Sequence, residues 1–287
     1  MKPQAVTDAL LRKWPLPDPD SMEGKEERGC VLVVGGSTRI PGAAVLAATA
    51  ALRAGAGKLQ VATSRPVAMQ VAIALPEAKV SGVLADSKGE ITTLGRDVAS
   101  DVERAEAVLV GPGMLATPAT RRVAVGILRR AKAVVLDAGA LEAALQRTGA
   151  AVRVVTPHFG EMAGLLGIDA SDVAAEPEAI AYDFATKHGA TVVLKSARTV
   201  IANPSGEVWV HARGSAGLGT SGSGDVLAGL ICGLMAQGVP ADQASVWGVA
   251  LHGRAGEILS REVGTTGFLA REIAQRVPGI RDALHRA

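Results

Sequence analysis

A three-layer α/β fold, with a mostly parallel central sheet covered by helices on both faces, is predicted by three features of the sequence. Short, almost continuously apolar β-branched runs alternate with Ala- and Leu-rich stretches of helical period. Glycine-rich turns close several of those runs. The core must be aliphatic, because 48% of the 287 residues are hydrophobic but only 2% are aromatic. With no Pro/Gly/Ser linker dividing it, the chain reads as one domain over 1–287.

The elements follow in order. Residues 1–28 are polar and punctuated by prolines, and predict a short helix over 6–13 and then an approach loop to the first strand. Strands are expected at 31–34, 58–62, 107–110, 133–136, 152–155 and 191–194. Between them, helices are expected at 43–54, 66–75, 118–131, 160–166 and 177–188. The rhythm changes at 199–202 and 207–211, two short strands around Asn203-Pro204-Ser205-Gly206 that read as a β-hairpin. The last third is helical, near 225–237, 241–263 and 266–276.

Charge narrows the function. Thirty Lys and Arg against 28 Asp and Glu give 30 − 28 = +2, without the basic bias of a nucleic-acid binder. Three Trp, three Phe and one Tyr are too few for base-stacking platforms. No uncharged apolar run is long enough to span a membrane, and no signal-peptide core begins the chain. The two cysteines, Cys30 and Cys232, flank or sit inside apolar runs and read as structural thiols in a reducing cytoplasm.

The strongest local signal is the stretch from Gly214 to Asp225, with five glycines and four hydroxyl residues before a one-faced apolar helix. Such a loop opens a helix with free amides at the positive end of its dipole, a setting that holds phosphate. Asp225, at the helix start, is the candidate general base against a substrate hydroxyl. The amides of Gly222, Ser223 and Gly224 are the candidate anion hole. The first strand ends in Gly35-Gly36, no P-loop is present, and no G-x-G-x-x-G fingerprint directly follows that strand. Other strand ends carry Gly111-Pro112-Gly113, Asp137, His158 and Lys195. Asp137 is either a helix cap or a site carboxylate, and Lys195 is either solvated or in reach of a phosphate.

Taken in order, Val33-Val34-Gly35-Gly36-Ser37, Val110-Gly111-Pro112-Gly113, Leu136-Asp137-Ala138, Thr156-Pro157-His158-x-Gly160-Glu161, Val193-Leu194-Lys195 and Gly222-Ser223-Gly224-Asp225-Val226-Leu227-Ala228-Gly229 resemble the ADP-dependent NAD(P)H-hydrate dehydratases of the ribokinase-like superfamily. The resemblance covers roughly residues 25 to 280, and no upstream epimerase domain is expected. It implies a ribokinase-like three-layer sandwich and the removal of water from NADH or NADPH hydrate, with ADP (or ATP) as co-substrate and Mg²⁺ shielding the phosphates. It places Asp225 on the hydrate hydroxyl. Ala43, Gly113 and His158 would line the hydrate pocket. Lys195, Ser196, Ala197, Arg198, Thr199 and Gly224 would border the nucleotide. It further implies a homo-oligomer, a tetramer in many members. The sequence departs from the family pattern at Gly139, where an Asp is usual, at Ser215, where an Asn is usual, and at Ile40, where an aromatic residue is usual. A small-molecule kinase of the same superfamily and a nucleotide-binding protein without activity are the alternative readings.

Overall fold

The computed structural model describes residues 2–18, 21–146 and 148–286, with the side chains of 285 and 286 left aside. Residues 1, 19, 20, 147 and 287 of the expected domain therefore lie outside the described residues.

Eleven strands form one sheet: β1 (Gln4–Ala5), β2 (Cys30–Val34), β3 (Lys58–Ser64), β4 (Ala78–Ala85), β5 (Ile91–Thr93), β6 (Ala107–Val110), β7 (Ala133–Leu136), β8 (Val152–Val155), β9 (Thr191–Leu194), β10 (Thr199–Ala202) and β11 (Val208–His211). Their spatial order is β1-β11-β10-β9-β8-β7-β6-β2-β3-β4-β5. From β4 to β9 every neighbouring pair is parallel, and β5 and the β10–β11 hairpin are antiparallel additions at the two ends. The chain runs outward from β2 to β4, then returns to β6 on the other side of β2. The order thus reverses between β2 and β6, where open α/β sheets bind ligands at the carboxyl ends of their strands.

Alternation along each strand divides the core in two. Val31 and Val33 face one helical layer, and Leu32 and Val34 face the other. The same split holds for Leu109 against Val108 and Val110, and for Val193 against Val192 and Leu194. The first layer holds α1 (Asp8–Lys13), α2 (Pro41–Arg53), α3 (Ala68–Ala74), α9 (Ser223–Ala236), α10 (Ala241–Glu262) and α11 (Ala270–Arg286). The second holds α4 (Gly95–Arg104), α5 (Pro118–Leu128), α6 (Phe159–Leu166), α7 (Ala170–Ala175) and α8 (Pro177–His188).

Several boundaries differ from expectation. α1 begins at Asp8, because Thr7 stays extended and its hydroxyl accepts the Leu10 amide. The helix expected over 266–276 begins at Ala270 and runs through Pro278 to Arg286, its buried stripe being Ile273, Val277, Ile280 and Leu284. The left-handed Gly267 delays its start, and the Leu269 amide donates to Glu272 Oε2 at 2.6 Å. The elements β1, β4, β5, α4 and α7 were not foreseen.

α2 and α9 lie against each other with almost no side chain between them. A Cβ at Gly229 would stand 2.1 Å from the Ala47 carbonyl oxygen, and one at Gly233 2.4 Å from that of Ala51. Only glycine permits this approach, and it brings the N-termini of the two helices to the same sheet edge.

Candidate active site

α9 begins at Ser223, two residues before the expected start, because Gly222 takes a left-handed φ of 90°. A side chain at 222 would also meet Leu46 Cδ1 of α2 at 2.4 Å. The chain thereby turns sharply into the helix with Asp225 in its first turn. One of the three expected anion-hole amides is engaged. The Ser223 N–H donates to the Thr220 carbonyl at 3.2 Å, and its buried hydroxyl meets His252 Nε2 at 3.0 Å. Among the described hydrogen bonds, the amides of Gly222 and Gly224 donate to no protein acceptor. Of the three candidate amides, those of Gly222 and Gly224 are the ones left free to meet an anion.

Asp225 does not titrate as an ordinary carboxylate. Burial, and then the nearby Asp137 and Glu161 carboxylates, push its pKa up to about 7, against the opposing pull of Lys195. Lys195 Nζ is 3.1 Å from Asp137 Oδ1 and 3.7 Å from Glu161 Oε2. It also stands 3.3 Å from where a Cβ of Gly224 would be, so the ammonium lies beside the anion loop. Burial pulls the Lys195 pKa down, but Asp137 and Glu161 outweigh it and the net shift is upward, so the ammonium stays charged. Lys195 is therefore paired within the candidate site rather than solvated.

Asp137 does not cap a helix but joins the candidate site through Lys195. Its side chain makes no capping bond to the 3₁₀ turn that follows, and Oδ1 instead accepts the Thr156 hydroxyl at 2.7 Å. The next residue, Ala138, has a φ of 45°, the one positive value at a non-glycine among the described residues.

His158 caps α6. Its Nδ1 accepts the Glu161 amide at 3.2 Å while Glu161 Oε2 accepts the His158 amide at 2.8 Å, a reciprocal capping box. Its side chain is 59% exposed, with Nε2 3.6 Å from Glu161, so His158 borders the charged cluster from the solvent side. Ala43 and Gly113 meet across the switch point, where a Cβ at 113 would be 2.9 Å from that of Ala43. The loops that carry them are stitched together, Gly36 N–H to Pro112 O at 2.8 Å and Ser37 N–H to Gly113 O at 3.1 Å. The buried Glu90 holds the second loop by accepting the Leu115 amide at 3.0 Å. That loop also accounts for Gly139: a Cβ there would lie 2.5 Å from the Met114 carbonyl oxygen, leaving no room for a carboxylate.

The segment from Lys195 to Thr199 divides. Beyond Lys195 the chain makes a tight turn, with Ser196 Oγ donating to Arg198 O at 2.8 Å and Thr199 Oγ1 donating to Ser196 O at 3.0 Å. Arg198 pairs with Glu178 of α8, and no described contact joins Ala197 or Arg198 to the Asp225 cluster. Sequence reasoning left Thr156, Glu161, His252 and Glu90 without a role. The His158-x-x-Glu161 spacing, a capping-box pattern at a strand end, was the available signal for Glu161. Among the described residues no three His, Cys, Asp or Glu side chains are grouped to hold a metal.

The NAD(P)H-hydrate dehydratase family model matches residues 31–279. The chain is 48% identical over 284 residues to the ADP-dependent (S)-NAD(P)H-hydrate dehydratase of Xanthomonas campestris, covering 99% of this chain and 98% of that one. The ADP/ATP-dependent NAD(P)H-hydrate dehydratase of Bacillus subtilis, co-crystallised with ATP and Mg²⁺, superposes with a TM-score of 0.86 at 29% identity, over 99% of each chain. A hydroxyethylthiazole kinase of Pyrococcus horikoshii shares the fold alone, with a TM-score of 0.60 at 19% identity over 92% of this chain and 90% of that one. With full-length similarity to dehydratases and only the architecture in common with a kinase, the chain belongs to the NAD(P)H-hydrate dehydratase family.

Proposed function

We propose that this protein catalyses the ADP-dependent dehydration of the S epimer of NADH or NADPH hydrate, regenerating the reduced nicotinamide with release of AMP and phosphate. The observation that carries this reading is Asp225, held near pKa 7 beside Lys195 and the free amides of Gly222 and Gly224. A carboxylate with that affinity for protons accepts one from an alcohol far better than an ordinary aspartate does.

Asp225 takes the proton of the hydrate hydroxyl as its oxygen attacks the terminal phosphorus of ADP. The phosphorus–oxygen bond to AMP breaks, and the amides of Gly222 and Gly224 with the Lys195 ammonium stabilise the charge on the transferring group. A poor leaving group, hydroxide, has become phosphate. The ring nitrogen lone pair then expels phosphate from C6, and loss of a proton from C5 restores the double bond. Ala43 and Gly113 would line the hydrate side of the cleft with His158, and the turn from Lys195 to Thr199 the nucleotide side. Asp137 and Glu161 supply two carboxylates, a donor set that suits Mg²⁺ held chiefly by nucleotide phosphates, and the ion would neutralise phosphate charge there. A homo-oligomer, tetrameric and cytoplasmic, is the form proposed for the cell. The exposed Met69 and Ile73 on α3 favour self-association, and sedimentation tests it.

The test is direct. Purified protein given the S hydrate, ADP and Mg²⁺ should restore the absorbance of reduced nicotinamide. No recovery with either ADP or ATP would overturn the proposal.

A further inference from the structure

His252, in the middle of α10, belongs to none of the groups described above, yet its ring reaches the first residue of α9. Nε2 lies 3.0 Å from Ser223 Oγ and 3.1 Å from the Ser223 carbonyl oxygen. A carbonyl oxygen can only accept, so with the ring proton on Nε2 the ring donates to the Ser223 carbonyl, and this is the tautomer on which the inference stands. Burial, opposed by the hydrogen bond to Ser223 and reinforced by His211 and Lys195, pushes its pKa down to about 4, so the ring is neutral.

The Ser223 carbonyl and the Gly224 N–H are the two ends of one peptide group. A hydrogen bond donated to the oxygen withdraws electron density through the amide and makes the N–H at the other end a stronger donor. It also fixes the plane of the peptide, and so the direction in which that N–H points. The Gly224 amide is one of the two free donors of the anion hole. We propose that His252 is a positioning residue for the anion hole, polarising and orienting the Ser223–Gly224 peptide so that the Gly224 amide meets the transferring phosphoryl group. The proposal rests on the phosphoryl-transfer reading of the site for its consequence, but the polarisation itself is measurable without ligand.

Two steps test it. In the unliganded protein, long-range ¹H–¹⁵N correlation of the histidine rings reports the tautomer of His252, and protonation at Nδ1 instead of Nε2 would refute the proposal before any variant is made. Labelling with ¹³C-carbonyl serine and ¹⁵N-glycine then isolates the Ser-Gly pairs 81–82, 205–206, 221–222 and 223–224. His252→Phe removes the donor, and His252→Gln returns one near the Nε2 position. The Ser223 carbonyl and Gly224 amide resonances should move upfield in the Phe variant and return toward wild type in the Gln variant, with pairs 81–82 and 205–206 unmoved. In turnover, His252→Phe should lower kcat about 10-fold and weaken ADP without weakening adenosine, and Gln should recover most of both. Gly224 shifts unchanged in His252→Phe, or equal losses for ADP and adenosine, would assign His252 to packing alone. If the wild type shows the expected tautomer and shifts but neither binds ADP nor turns over hydrate, the reading of the reaction fails while the polarised peptide stands.

Discussion

At the scale of single residues, the site is governed by one lysine among three carboxylates. Asp137, Glu161 and Asp225 all raise the Lys195 pKa, and Lys195 in turn restrains that of Asp225. In the proposed mechanism Asp225 of the free enzyme must be ionised to act as a base, so kcat/KM should fall about tenfold per pH unit below about 7. Substitutions should move that acidic limb in opposite directions. Asp137→Asn removes a charge that raises the Asp225 pKa and shifts the limb to lower pH. Lys195→Met removes the one that lowers it and shifts the limb upward. A pH–rate profile of each variant checks both signs. Asp225→Asn should lower kcat by about 10²–10⁴-fold at the pH optimum, measured by recovery of nicotinamide absorbance.

At the scale of elements, the site depends on how closely α2 and α9 approach. A methyl group at 229 would have to occupy the position of the Ala47 carbonyl. Gly229→Ala should therefore destabilise the fold by about 1–3 kcal/mol, read from denaturant midpoints, and should lower activity by parting the two helix N-termini. How far each element was legible in the sequence follows from where it sits. β2, β6, β7 and β9 are buried on both faces and announce themselves as nearly continuous apolar runs, and β8 does so apart from Arg153. β4 lies toward the sheet's edge, where Lys79 and Ser81 interrupt the pattern, and β1 has two residues whose partners, Trp209 and Val210, are distant in sequence. The anion loop was legible because five glycines and Asp225 are contiguous. The charged cluster was not, because Asp137 and Lys195 follow β7 and β9, Glu161 lies in the first turn of α6 after β8, and only the parallel register of those strands brings them together.

For the whole molecule, the pKa of Asp225 sets a cost in stability. The folded chain holds this proton up to about pH 7, whereas the unfolded chain releases it above the ordinary aspartate value of 3.8. Between those values the native state binds more protons, so the native state loses stability as pH rises, by at most about 4 kcal/mol. Asp225→Asn escapes that loss. Its melting temperature should exceed that of wild type at pH 8, with the gap closing toward pH 4, so that the inactive variant is the more robust one. Bound nucleotide should raise the melting point of wild type as well, an ADP concentration 100 times Kd contributing about 2.7 kcal/mol.

The far margin of the sheet carries a different consequence. Gln4 and Ala5 pair with Trp209 and Val210, the Val6 amide donates to the Val210 carbonyl, and Trp14 is tethered through its carbonyl to Gln243 and Trp247 of α10. Trimming the first dozen residues would leave the catalytic groups untouched but uncover a hydrogen-bonding ribbon along Val208–His211. Molecules shortened in this way should clump by adding strand to strand, a hazard for anyone expressing the enzyme from a later start codon.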